Sequence, residues 1–178
     1  MVSAAPLVKA VDAMRGLKIE GGDLPPLTLT SCEQSLSALV GEGLHRTVNG
    51  KLCCTALSPD VRYRTTIHCT GPALPALGGL TLGSTVRIHC VQRLWQKGQD
   101  ASIKLTRPAV PASMIVMNAQ KEVMSFDVVG DEIIPRRLGR PYFISFCPIL
   151  TMCITDMTMQ CGVGGLNQTW MITAEEVS

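Results

Sequence analysis

Arg62-Tyr63-Arg64-Thr65-Thr66-Ile67-His68-Cys69-Thr70 is the stretch on which the fold class turns. Tyr63, Thr65, Ile67 and Cys69 fall on one side of an extended chain, and Arg62, Arg64, Thr66 and His68 fall on the other. Successive side chains of a strand point to opposite faces, so the pattern is that of a half-buried strand with one face on a core and one toward solvent.

Working upstream, Val48-Asn49-Gly50-Lys51 places Asn-Gly between two runs of strand formers. These two residues tolerate the positive φ angles of a two-residue hairpin turn, so His45 to Val48 is expected to pair with Lys51 to Leu57. Residues 27–43 leave two readings open. Leu27 and Leu29 alternate like a strand, while Thr30 with Glu33 suits a helical capping box; extended structure is favoured. Gly21-Gly22 and Pro25-Pro26 punctuate the chain and divide an N-terminal extension, residues 1–26, from a single β domain over residues 27–178. Within the extension Leu7, Ala10, Val11, Met14 and Leu17 stand at helical spacing, which reads as a short amphipathic helix or a docking arm.

Downstream, a Pro- and Gly-rich connection over Gly71 to Gly83 leads to an apolar run from Thr85 to Trp95. This run and the opening stretch share Ile-His-Cys, which marks them as neighbours or structural analogues. Further strands are expected at Met114 to Met117, at Val123 to Val129, at Tyr142 to Thr155 with an interruption at Pro148, and at Thr169 to Ala174; Gly130-Asp131 reads as a turn. Short strands at regular spacing, with no long helical period between them, give a mainly β chain: an antiparallel β-barrel or β-sandwich with an N-terminal arm or short helix.

The 178 residues are 46% hydrophobic, yet only seven are aromatic, so Val, Leu, Ile, Ala, Met and Cys carry the apolar content. No apolar run approaches the roughly 18 to 20 residues of a membrane-spanning helix, and membrane insertion is not expected. Lys9 and Asp12 break the apolar stretch that a secretory signal requires, so synthesis in the cytoplasm is expected. Under reducing conditions the eight cysteines are then expected to be buried free thiols that pack as small hydrophobes.

The net charge of +2 is spread along the chain and gives no reason to expect direct nucleic-acid binding. Its one local excess, Arg136, Arg137 and Arg140 between Pro135 and Pro141, reads as a solvated or partner-facing turn. The chain has no G-x-S-x-G, no phosphate loop and no G-x-G-x-x-G, and Gly41-Glu42-Gly43 and Gly162-Val163-Gly164-Gly165 read as turns.

His45, His68 and His89 with the cysteines are the residue types that bind zinc or iron–sulfur clusters, and cross-strand pairing would bring His68 to His89 or Cys69 to Cys90. The adjacent Cys53 and Cys54 point to opposite faces, however, and no C-x-x-C pair exists, so no metal or cofactor is expected. Nor is a catalytic site. No histidine is placed by local pattern to activate a cysteine, and the paired carboxylates Asp131-Glu132 and Glu175-Glu176 read as a turn and a terminal strand or tail. Trp170 reads as a core or interface anchor.

Five stretches carry a resemblance through their order. They are Arg46 to Leu52, Arg62 to Cys69, Pro75-Ala76-Leu77 with Gly83-Ser84-Thr85-Val86, Arg140-Pro141 leading to Ile149 to Asp156, and Trp170 to Val177. Together, over residues 44–177, they resemble the small β-rich tail-tip and baseplate structural proteins of tailed bacteriophages of the siphophage type. The resemblance implies a non-enzymatic virion protein. It implies a symmetric homo-oligomeric ring that joins the end of the tail tube to hub or receptor-binding parts, with itself and other tail proteins as partners. The alternative is a small ligand- or metal-binding β-barrel protein. Physical reasoning leans the same way: a mean hydropathy of +0.25 implies more apolar surface than one small core conveniently hides. Edge strands, and an arm over residues 1–24, are natural contact elements for such a ring.

Overall fold

The structure, a computed structural model, describes residues 16–22, 31–39, 44–54, 61–71, 77, 79–136, 141–162 and 168–177. The strands in chain order are β1 (Lys18–Ile19), β2 (Ser31–Leu39), β3 (Leu44–Arg46), β4 (Leu52–Cys54), β5 (Arg62–Gly71), β6 (Thr85–His89), β7 (Leu94–Gly98) and β8 (Ile103–Lys104). They continue with β9 (Ile115–Asn118), β10 (Val123–Met124), β11 (Phe126–Val129), β12 (Glu132–Pro135), β13 (Tyr142–Phe146), β14 (Ile149–Cys161) and β15 (Gln168–Glu176). The protein is mainly β, its recorded pairings are antiparallel, and no helix occurs among the described residues. The sheets run β1-β6-β14-β15-β5-β2, β10-β9-β13-β7, β11-β12-β8 and β3-β4. The helix expected near the N-terminus falls mostly on residues outside the described set.

Two compact units divide the chain: residues 1–19 with 87–150, and residues 20–86 with 151–178. In the second unit the alternation of β5 is realised residue by residue. Thr65, Ile67 and Cys69 are buried, while Arg64 and His68 are exposed. β15 pairs beside it and buries Trp170, Ile172 and Ala174. Each large apolar side chain removed from water in this way is worth about 2 kcal/mol. The outward face of the same two strands is polar: Arg64 meets Glu175 at 2.6 Å, and the hydroxyls of Thr66 and Thr173 lie 3.5 Å apart. In β14 the register shifts between Ile154 and Asp156, a bulge at Thr155. Leu150, Met152 and Ile154 are buried before it, whereas the strand is largely exposed beyond it.

The Asn49-Gly50 hairpin forms with a different turn from the one expected. Gly50 N–H donates to Thr47 O (2.8 Å) and Thr47 N–H to Lys51 O (2.9 Å), and Gly50 alone in this loop takes a positive φ, +76°. That is a three-residue loop, a type I turn closed by a bulge glycine; β3 ends at Arg46, two residues before the expected arm does, and residues 55–57 of the other expected arm lie outside the described residues. The β9–β10 hairpin repeats the pattern: Asn118 N–H donates to Glu122 O and Lys121 N–H to Asn118 O, with Lys121 at φ +66°. Asn118 Oδ1 also accepts from the Gln120 and Glu122 amides, which stabilises a non-glycine residue in that conformation.

The apolar run Thr85 to Trp95 divides into two strands in different sheets, β6 and β7. Tertiary bonds in the gap account for the division: Cys90 N–H donates to Pro148 O (3.0 Å), and Arg93 turns into a polar network described below. The expected strand Val123 to Val129 divides likewise, into β10 and β11, and Pro148 separates β13 from β14. In the first unit the core is Val116, Ile133, Tyr142, Ile144 and Phe146.

Candidate interaction surface

The four-stranded sheet β10-β9-β13-β7 has two apolar faces. Its register aligns Ile144 with Val116 and Gln96, and Phe143 with Met117 and Lys97, while Val123 lies opposite Met117. Val116, Tyr142, Ile144 and Phe146 therefore point to the core side. Phe143, Met117, Ile115, Val123 and Trp95 share the other side, with Lys97 and Ser145 among them. Trp95 is 59% exposed and Val123 56%, while Phe143, Met117 and Ile115 are half-buried. A sheet with one solvated face normally alternates apolar and polar residues; here the outward row is itself apolar. The neighbouring β11–β12 ribbon adds Val128 and Val129, consecutive residues that are both exposed.

Tight local features hold this surface in place. Gly98, opposite Tyr142, lies under the tyrosine ring, so that a Cβ at position 98 would collide with the ring atoms; the Tyr142 hydroxyl donates to Asp100 O at 3.1 Å. At the other end of β7 the Arg93 guanidinium donates to Ser145 Oγ (2.7 Å), Ser145 O (2.8 Å) and Ser113 O (2.5 Å). Ser113 closes the turn Val110-Pro111-Ala112-Ser113, in which Ala112 takes φ +64°, a conformation usually left to glycine. Ser113 Oγ also accepts the Cys147 amide at 3.1 Å. Burial pushes the Cys147 thiol above its ordinary value, against the opposing pull of Arg93. That direction is opposite to the lowered value of an activated thiolate.

The residues singled out in the sequence disperse. β5 and β6 are separated by β14 and β15 in the sheet order, so the two Ile-His-Cys strands are not neighbours, and His68 and His89 are not paired across strands. His45 lies on β3 opposite Cys53. Cys69 pairs with Cys32 as a disulfide, which corrects the expectation of free thiols at this pair; Cys53, Cys90, Cys147, Cys153 and Cys161 stand outside the disulfide, and of these Cys90 and Cys147 are buried as expected while Cys53 and Cys153 are half-buried and Cys161 is exposed. Among the described residues no group of three or more His, Cys, Asp or Glu side chains converges as metal ligands do. Arg136 clamps Asp127 across the β11–β12 ribbon at 2.6 and 2.9 Å, and the bond holds the Asp127 carboxyl below its ordinary range. Arg137, Arg140, Gly41-Glu42-Gly43 and Val163-Gly164-Gly165 lie outside the described residues.

Trp170 is buried, with its indole N–H unbonded among the described atoms. Glu175 and Glu176 belong to β15, where Glu176 accepts the Tyr63 amide at 3.1 Å. Asp131 sits in the turn before β12, as expected, but Glu132 opens the strand itself, which corrects the expectation that the pair forms a turn.

Sequence reasoning missed the apolar outer face. The signal was present: Met114 to Met117 and Tyr142 to Ile144 are apolar at consecutive positions rather than at alternate ones, the pattern of a strand covered on both sides. No family model matches the chain, and neither does any curated protein or solved structure.

Proposed function

We infer that the protein is a non-enzymatic structural subunit of a bacteriophage tail tip or baseplate, assembling as a homo-oligomeric ring. The observation that carries the reading is the apolar outer face of the β10-β9-β13-β7 sheet, with Trp95 and Val123 on its two terminal strands. Successive antiparallel pairings make β10 and β7 run in opposite directions. A copy that sets its β10 beside a neighbour's β7 therefore continues the antiparallel order of the sheet. Such a contact is head-to-tail, the class that closes into rings. Electron microscopy of the purified protein tests it: rings are expected, and a field of single globular particles contradicts it.

The alternative, a small ligand-binding β protein, is favoured by a cleft of about 480 Å3 in the first unit, lined by the apolar Leu105, Met114 and Ile133 and by two cations, Lys104 and Arg107, against one acid, Asp131. That reading expects an amphipathic carboxylate to raise the melting temperature of the wild type and not of Met114→Glu.

A further inference from the structure

The two neighbours of β5 are held to it by different means. β15 contributes Trp170, Ile172 and Ala174 to the core, all fully buried. Among its described side chains β2 contributes none that is fully buried: Cys32 to Leu39 are half-buried or exposed throughout. Its composition gives the reason, since Ser, Glu and Gln occupy five of the nine positions in Ser31-Cys32-Glu33-Gln34-Ser35-Leu36-Ser37-Ala38-Leu39. Beyond the backbone ladder, side-chain ties include Gln34 Nε2 to Thr65 Oγ1 at 3.0 Å, and Ser35 and Ser37 hydroxyls to backbone oxygens at 3.5 and 3.4 Å. Against this weak apolar hold stands one covalent link. Cys32 and Cys69 are direct register partners, 37 residues apart in sequence, and they are joined as a disulfide.

We propose that Cys32–Cys69 is a redox latch: oxidised, it fixes the terminal strand β2 on β5; reduced by a dithiol, it leaves β2 detachable from that edge. Cys32 is the half-buried partner and Cys69 the fully buried one, so a reductant attacks at Cys32. A thiolate of the dithiol attacks Cys32 Sγ, the S–S bond breaks, and Cys69 leaves as a thiolate that takes up a proton. The second thiol of the reductant then attacks its own sulfur in the mixed disulfide, releases Cys32 as a thiol and closes the reductant's disulfide. Two electrons and two protons pass from the dithiol to the protein. This latch is independent of ring assembly and stands whether or not the protein forms one.

Hydrogen–deuterium exchange on the full chain, air-oxidised or treated with dithiothreitol, tests it. The intact mass should rise by two hydrogens on reduction, and the amides of residues 31–39 should exchange at least roughly tenfold faster while those of 168–176 stay unchanged. Cys32→Ser should exchange fast over residues 31–39 with or without dithiothreitol. Equal exchange in the two redox states overturns the latch, as does an acceleration shared equally by β14 and β15. A full complement of free thiols in the denatured, air-oxidised protein overturns it as well.

Discussion

Two outward-facing sheet surfaces of this protein obey opposite rules. On β5 and β15 the outer row is Arg64 with Glu175, Thr66 with Thr173, and His68 with Met171, mostly polar pairs that water can cover. On β7, β13, β9 and β10 the outer row is Trp95, Phe143, Ile115, Met117 and Val123, relieved by the exposed Lys97, while Ser145 on the same side is buried under the Arg93 guanidinium. Both surfaces lie on antiparallel sheets, and both sheets bury their other face. Strand formation alone therefore does not set the character of the outer row. A polar row marks a face finished by solvent, and an apolar one marks a face finished by another surface.

The comparison breaks most visibly at Trp95. Exchanging an anchor aromatic in an interface for a charge costs about 3 kcal/mol, more than a hundredfold in affinity. Trp95→Glu is therefore expected to dissociate the oligomer in sedimentation while leaving the β signal of circular dichroism intact. Thr66→Glu, the same change of charge on the polar face, is expected to leave assembly unaltered. If both variants assemble alike, the two faces are equivalent and the contrast is lost.

A smaller effect is expected inside the sheet. Gly98→Ala forces a methyl group into the Tyr142 ring, and overpacking of this kind costs about 2 kcal/mol. Chemical denaturation should show that loss in the single variant and recover part of it in Gly98→Ala with Tyr142→Leu, where the ring is gone.

The smallest effect concerns Asp127 and Arg136 on the exposed ribbon. The bond to Arg136 lowers the Asp127 carboxyl below its ordinary value. The unfolded chain therefore binds the proton first as pH falls, and the pair's contribution is present above the ordinary carboxylate value and lost as pH drops through the lowered one. An NMR titration should find Asp127 below the ordinary aspartate value, and Arg136→Gln should raise it.

Much of the fold was legible because period-two alternation is a local property. β5 was read residue by residue, β15 nearly to its ends, and residues 31–39 are extended as favoured. What escaped depends on distant partners. The division of Thr85 to Trp95 is written in bonds from Cys90 to Pro148 and from Arg93 to Ser113 and Ser145, none of them adjacent in sequence. The short strand β12 lies in a run ending at Pro135, which argues against a strand until β11 and β8 pair on either side of it. The Cys32–Cys69 bond needs the register of β2 on β5, which no spacing rule supplies. The outer apolar face was present as consecutive apolar residues, but only the register shows that Trp95, Phe143, Met117, Ile115 and Val123 share one side.

Native mass spectrometry of the full chain over a concentration series tests the central claim most directly. A closed homo-oligomer of fixed stoichiometry is expected for the wild type and a monomer for Trp95→Glu. A wild-type chain that remains monomeric at every concentration sampled would contradict it.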